Sequence, residues 1–265
     1  MNYLSINELQ LTILIPAYNE ATRIENCVKL VERSAESFTA SYEIIIAEDG
    51  STDGTNVIAS RLARDNPRII NLHSPIRLGK GQAIKRALQI ASGDVVVFLD
   101  ADLATNLDCL PRIVNTARMR RGIVVGSRYS SGSMVRRPVS RKLFSITYNV
   151  LVRTLFHDGV HDHQCGFKAL SCELVNVLKD MIESDGFFVD TEILVRAKGL
   201  GSPITEVAVE WTETRKKGES KVRVFRDALK MGIALLKLRL RSNISARVVK
   251  EERTMQHVKM AKHLR

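Results

Sequence analysis

Nowhere in this 265-residue chain do about 20 apolar residues run together, the length a helix needs to cross a bilayer. No spanning segment is therefore expected. Met1 to Gln10 is polar and lacks the apolar core of a secretory leader. The four cysteines (Cys27, Cys109, Cys165, Cys172) form no CxxC pair and have no histidine partners at zinc spacing. Neither a disulfide framework nor a structural zinc is expected, and the cysteines read as those of a reduced, cytoplasmic chain. There is no internal repeat and no low-complexity tract.

Net charge is absent from most of the chain. Residues 212–265 hold 16 of the 40 Lys and Arg but only 5 of the 29 Asp and Glu, leaving 24 of each sign in residues 1–211. The whole +11 thus sits at the C-terminal end, which predicts an anionic partner there. Nucleic acid fits poorly, because this basic stretch has one aromatic, Phe225, and no stacking or zinc motif.

What is present is a core. At 45% hydrophobic, the chain can bury one sizeable core. Strand-length apolar runs at 11–15, 42–47, 69–72, 94–99 and 123–127 alternate with helix-period segments at 20–37, 54–64 and 79–91. On the first of these segments Ile24, Cys27, Val28, Val31 and Ala35 share a face. Continuous apolar strands are those buried on both sides, so a Rossmann-like α/β domain with a mostly parallel sheet flanked by helices is predicted. Residues 141–156 read as a further helix. Residues 204–211 alternate as an antiparallel strand with one wet face does. Residues 222–241 read as an amphipathic helix, with Arg223, Arg226, Lys230, Lys237 and Arg241 in a basic stripe beside Phe225, Leu229, Ile233, Leu236 and Leu240. The expected organisation is a catalytic domain over 1–221 and a basic amphipathic helical extension over 222–265. Trp211 reads as core, and His157, His161 and His163 do not read as a metal set, since alternate residues point apart.

Chemistry concentrates at strand ends. The first strand runs into Pro16-Ala17-Tyr18-Asn19-Glu20, the second into Glu48-Asp49-Gly50-Ser51-Thr52-Asp53, and the 94–99 strand into Asp100-Ala101-Asp102. Ligands of such sheets bind at the carboxyl ends of strands. Carboxylates two apart there suit a hard divalent cation, which completes its shell with water and phosphate oxygens. That pattern points to a diphosphate-handling site.

The segments PAYNE, EDGSTDGT, RLGKGQAIKRAL and SGDVVVFLDADLAT resemble the N-terminal blocks of family 2 glycosyltransferases of the GT-A fold. GSRY, HDHQCGFK, the F-x-D-x-E at Phe188, Asp190 and Glu192, and the AVEWTE stretch resemble the polyprenyl-phosphate branch, closest to dolichyl-phosphate β-glucosyltransferases. The resemblance implies that Pro16, Tyr18, Glu20 and Asp49 cradle uracil and ribose, and that Lys80 lies near the base or diphosphate. It implies Asp100 on the ribose and sugar side, Asp102 on a Mg²⁺ or Mn²⁺ ion, and Asp190 and Glu192 lining the sugar pocket. Arg128, with Arg137 or Arg141, would grip the acceptor phosphate. Arg215, Ser220 and Lys221 fall in an R-x-x-G-x-S-K segment that would close over the donor diphosphate.

The resemblance also implies partners: a UDP-sugar donor, a polyprenyl (dolichyl) phosphate acceptor, and an anionic membrane reached peripherally from the cytoplasmic side through the basic end. Departures exist. Glu48 and Arg77 stand where Asp and Asn are usual, and Ala104 replaces a Gln of the mannosyl branch. Rival readings are a GDP-mannose or UDP-N-acetylhexosamine donor, a sugar-hydroxyl acceptor, a nucleotidyltransferase, and a non-enzymatic membrane module. The nucleotidyltransferase is disfavoured because PAYNE carries no glycine.

Overall fold

The computed structural model describes residues 10–214 and 230–241. Its centre is a seven-stranded sheet of order β3-β2-β1-β4-β7-β5-β8. The strands are β1 (Leu11–Ala17), β2 (Tyr42–Glu48), β3 (Ile69–Asn71), β4 (Val95–Phe98), β5 (Ile123–Ser127), β7 (Lys168–Ser171) and β8 (Ile204–Ala208). All run parallel except β7, which pairs antiparallel with both β4 and β5. A short parallel pair, β6 (Met134–Arg136) and β9 (Glu210–Thr212), lies apart from it.

The central strands are apolar along their whole length because both faces are covered. Ile13, Ile15, Ile44, Ile46, Val95 and Val97 are fully buried, each contributing about 1.5–3 kcal/mol of transfer free energy. Helices α1 (Ile24–Glu36), α2 (Thr55–Asp65) and α4 (Leu110–Arg120) form one layer. On α1 the buried face is Ile24, Cys27, Val28, Val31 and Ala35, as the spacing predicts. Helices α3 (Lys80–Ile90), α6 (Cys172–Met181) and α7 (Val189–Gly199) form the other layer, and α5 (Val139–Phe156) precedes the QCGFK loop. The sheet order reverses between β1 and β4, so the crevice at their carboxyl ends is where such a fold places a ligand.

Residues 204–211 correct one expectation. They form two strands, β8 and β9, interrupted at Val209, and each is parallel to its partner, β5 and β6 respectively. Alternation reports a strand with one wet face, whatever its direction. β8 shows it because it is the sheet's edge.

Chain contacts divide the molecule into two units, Met1–Lys221 and Val222–Arg265. In the second, residues 230–241 are helical, with Ile233, Leu236 and Leu240 exposed. Arg223, Phe225, Arg226 and Leu229 of the expected stripe lie outside the described residues. Among the described residues no helix is long and apolar enough to cross a membrane.

Candidate active site

The loops after β1 and β2 brace each other before they meet any ligand. Asn19 N–H donates to Ser51 Oγ at 2.9 Å, and Asn19 Oδ1 accepts the Thr52 N–H at 2.8 Å. Glu20 N–H donates to Thr55 Oγ1 at 2.8 Å. Buried Glu48 accepts the Ser51 N–H and pairs with His73. Asp49 is buried too, and its two oxygens accept the N–H groups of Leu78 and Gly79, both at 2.8 Å. Its carboxylate shapes the RLGKG loop and is not turned toward open space. On that loop the Arg77 guanidinium lies 3.9 Å above the Tyr18 ring. Pro16 is in β1, opposite Ala47 of β2.

The centre of the site is a line of alternating charges. Lys80, first residue of α3, places Nζ 2.8 Å from Asp100 Oδ1 and 2.9 Å from Asp190 Oδ2. The other Asp190 oxygen is 3.3 Å from Nζ of Lys168, a fully buried lysine that also donates to the carbonyls of His163 and Cys165. Burial opposes the Lys80 charge, but Asp100 and then Asp190 outweigh it and hold the amine above the ordinary lysine range. Two glycines permit the approach of the 182–186 loop to α3. A Cβ on Gly79 or Gly81 would meet the Asp185 and Ser184 carbonyl oxygens at 2.1 and 1.8 Å.

Asp100 and Asp102 line one cleft together with Leu103, Gly166 and Trp211. Trp211 is half-exposed there, although it also packs against the core. The expected core packing is present, and the ring lines this cleft as well. Asp102 Oδ1 accepts the Ala104 N–H at 3.2 Å across a turn at Leu103, whose φ is 47°.

Arg128 also approaches Trp211, its guanidinium carbon 5.5 Å from the ring centre. It forms a two-pronged ion pair with fully buried Asp162, Nε and one terminal nitrogen donating at 2.7 and 2.8 Å. Burial raises the Asp162 carboxyl, but Arg128 outweighs it and holds the group below its ordinary range. Arg137 donates to Tyr129 Oη at 2.8 Å, and that hydroxyl donates to Ser145 Oγ at 2.8 Å.

Glu192 does not join the site. It is buried, and its carboxylate accepts the N–H groups of Glu183 and Ser184 and the Arg196 guanidinium. Two residues apart on a helix lie about 200° apart around the axis, so Asp190 and Glu192 of α7 point in different directions. The side chain of Arg141, and Arg215, Ser220 and Lys221, lie outside the described residues. The histidines are spent elsewhere: His161 pairs with Glu206, and His163 with Asp158 and Asn149. Lys168 was not given a role from the sequence; the available signal was a lone lysine opening the apolar run Ala169-Leu170.

The residues present fit a divalent cation. Asp100 and Asp102 offer hard oxygen donors to one cleft, and a Mg²⁺- or Mn²⁺-type ion takes one or two carboxylates before phosphate and water. Among the described residues no group of three or more His, Cys, Asp or Glu gathers as a metal cage.

Strand-end carboxylates at the switch point, Lys80 between Asp100 and the α7 residue Asp190, and an arginine beside Trp211 bring opposite charges together here. The family model for glycosyl transferase family 2 matches residues 12–178. This chain belongs to that family. It is 41% identical over 249 residues to glycosyltransferase AglD of Haloferax volcanii, covering 91% of this chain but 39% of that protein. It is 31% identical over 263 residues to human dolichyl-phosphate β-glucosyltransferase, covering 93% of this chain and 80% of the relative. Among solved structures it is similar to glucosyl-3-phosphoglycerate synthase from Mycobacterium tuberculosis in complex with Mn²⁺, UDP-glucose and phosphoglyceric acid. There the TM-score is 0.64 at 22% identity, over 88% of this chain and 79% of that one, which establishes a shared GT-A fold. The protein is a family 2 glycosyltransferase with dolichyl-phosphate glucosyltransferase relatives, while it spans well under half of AglD.

Proposed function

We propose that this transferase moves glucose from UDP-glucose to a polyprenyl (dolichyl) phosphate, with inversion at the sugar's C1, at the cytoplasmic face of a membrane. The observation that carries the reading is the Asp100–Lys80–Asp190–Lys168 line beside Asp102 at the β1/β4 switch point, in a chain whose relatives are named for this transfer.

Pro16, Tyr18, Glu20 and Asp49 form or brace the nucleoside end, with Tyr18 offering its ring. Asp102, assisted by Asp100, would hold the Mg²⁺ or Mn²⁺ ion, which when bound neutralises charge growing on the departing diphosphate. Arg215, Ser220 and Lys221 are proposed to close over that diphosphate. Asp190, fixed between two ammonium groups, holds Lys80 toward the donor. An oxygen of the acceptor phosphate attacks C1, the bond from C1 to the diphosphate oxygen breaks, and UDP leaves. The acceptor's second pKa is near ~6, so it arrives largely dianionic and needs no strong base. Arg128, Arg137 and Arg141 form the cationic set for it. Asp162 positions Arg128 by its two-pronged bond. Glu192 supports the 183–184 backbone and has no contact with substrate in this scheme. An anionic membrane surface is a proposed partner of the basic end, residues 222–241.

A thermal-shift panel of UDP-, GDP- and dTDP-sugars, each with and without Mn²⁺, tests donor and metal together. UDP-glucose with Mn²⁺ is expected to give the largest shift, about 2.7 kcal/mol at a hundred times Kd. A larger shift with GDP-mannose overturns the donor assignment. Asp102→Asn keeps shape and removes a charge. The metal-dependent part of the shift is expected to vanish in this variant while its ligand-free melting stays unchanged. Metal-enhanced binding that survives the substitution places the ion elsewhere.

A further inference from the structure

Helix α5 turns much of its polar side inward. Beside the fully buried Val152, Ser145 donates to Gln164 at 3.0 Å, Tyr148 shares a hydrogen bond with Thr191 at 2.8 Å, and Asn149 accepts the His163 N–H at 3.0 Å. Its outward side chains are mostly apolar, with Thr147 and Thr154 exposed among them. Val139 is 81% exposed, Leu143 66%, Phe144 57% and Leu151 46%, with Val150 beside them. At 100° per residue these fall on one side of a helix roughly 27 Å long. A helix facing water has the reverse arrangement, and a contiguous exposed apolar face of this kind marks an interaction surface.

Charge says which partner. Between Ser127 and Asp158 there is no Asp or Glu, while Arg128, Arg136, Arg137, Arg141, Lys142 and Arg153 are all cationic. Arg136 and Lys142 are exposed. A second copy docking about a two-fold axis would bring these cations face to face, whereas an anionic lipid surface complements them. An apolar face flanked by basic residues is the form of a helix that lies in a bilayer interface.

We propose that α5 is the lipid-docking surface of this enzyme, its apolar face entering the interfacial zone of an anionic bilayer. The surface adjoins the Arg137–Tyr129–Ser145 chain of hydrogen bonds, so docking brings a lipid-borne phosphate to the cationic set. In this it rests on the polyprenyl-phosphate reading above. It also moves the main apolar contact from the 222–241 segment to α5.

The experiment is vesicle co-sedimentation of the full chain, with about one lipid in three phosphatidylglycerol against pure phosphatidylcholine. The triple variant Leu143→Gln, Phe144→Gln, Leu151→Gln is compared with Val177→Gln, which alters an exposed apolar residue of α6. Wild type and the control are expected to bind anionic vesicles, and the triple variant to partition at least about tenfold less. Phe144→Trp is expected to be quenched by brominated lipid, and this readout decides alone if the triple variant fails to fold. Absence of wild-type binding, or equal binding by the triple variant, overturns the proposal. A dimer that the triple variant converts to monomer in light scattering, with vesicle binding unchanged, overturns it in favour of a second copy. Transfer to a short water-soluble prenyl phosphate separates the two readings: the triple variant is expected to retain it. If wild type shows no such transfer but the partition pattern holds, the docking surface stands and the acceptor assignment falls.

Discussion

Gly166→Ala is expected to lower the transfer rate about a hundredfold while leaving the fold intact. A methyl group built on Gly166 meets Asp100 Oδ2 at 2.1 Å and Oδ1 at 3.0 Å. No backbone atom is that close, so the chain does not have to move. The short Asp100 side chain does, and with it goes the 2.8 Å ion pair that fixes Lys80. A displacement of about 1 Å at a reacting constellation costs on the order of 10² in rate. Thermal melting, donor titration and turnover on one preparation test this. The expected pattern is a melting point near wild type with weakened donor binding and slow transfer. Full turnover would show that the Asp100 position is not critical. A similar methyl on Gly81 meets the Ser184 carbonyl at 1.8 Å, and there the expected loss is in stability, because backbone must shift.

The comparison of these two glycines also shows what a sequence discloses. The parallel strands were legible because burial on both faces writes an uninterrupted apolar run, as in Val95–Phe98. Strand direction was not legible. The alternation at 204–211 follows from an edge position, and edge strands of either direction show it. β7 escaped notice altogether: it is four residues long and begins with Lys168, a residue type that is almost never fully buried without partners. Its partners, the His163 and Cys165 carbonyls and Asp190, come from the loop before it and from α7, and no local pattern announces them.

The site was legible as a set of strand ends, less so as individual roles. Asp100 and Asp102 do share a cleft. Asp49 and Glu48, by contrast, spend their carboxylates on backbone N–H groups and on His73. A motif carboxylate that shapes a loop and one that meets a ligand look alike in sequence. The F-x-D-x-E resemblance put Asp190 and Glu192 together, and only the helix Val189–Gly199 separates them, since positions two apart on a helix do not share a face. Trp211 was ambiguous for a different reason: a large ring can pack on the core with one side and line a cleft with the other.

Asp162→Ala is expected to destabilise the protein by about 3–5 kcal/mol, the range found when one member of a buried ion pair is removed. The loss has three parts in this structure. Arg128 keeps its charge, with a side chain only 9% exposed, and has no counter-ion at Nε and Nη2. The backbone N–H groups of Arg128 and Cys165, which Asp162 accepts at 3.0 and 3.1 Å, lose their acceptor. The loop that carries Gly166 against Asp100 is then held less firmly. The same pair sets a pH dependence. The Asp162 carboxyl is held below its ordinary range in the folded protein, so its ionised form contributes stability everywhere above the unfolded carboxyl pKa of about 3.9. That contribution disappears as pH falls from there through the lower folded value. Urea unfolding at neutral pH and again at acid pH reads both effects. Wild type should lose stability on acidification, and Asp162→Ala should lose correspondingly less. Asp162→Asn keeps the shape and one acceptor, and is expected to fold well enough for kinetics, with a raised acceptor KM and donor affinity near wild type. An Asp162→Ala variant within about 1 kcal/mol of wild type means that the buried pair does not organise this side of the site. Equal losses of donor and acceptor affinity in Asp162→Asn would move Arg128 from the acceptor side to the donor side.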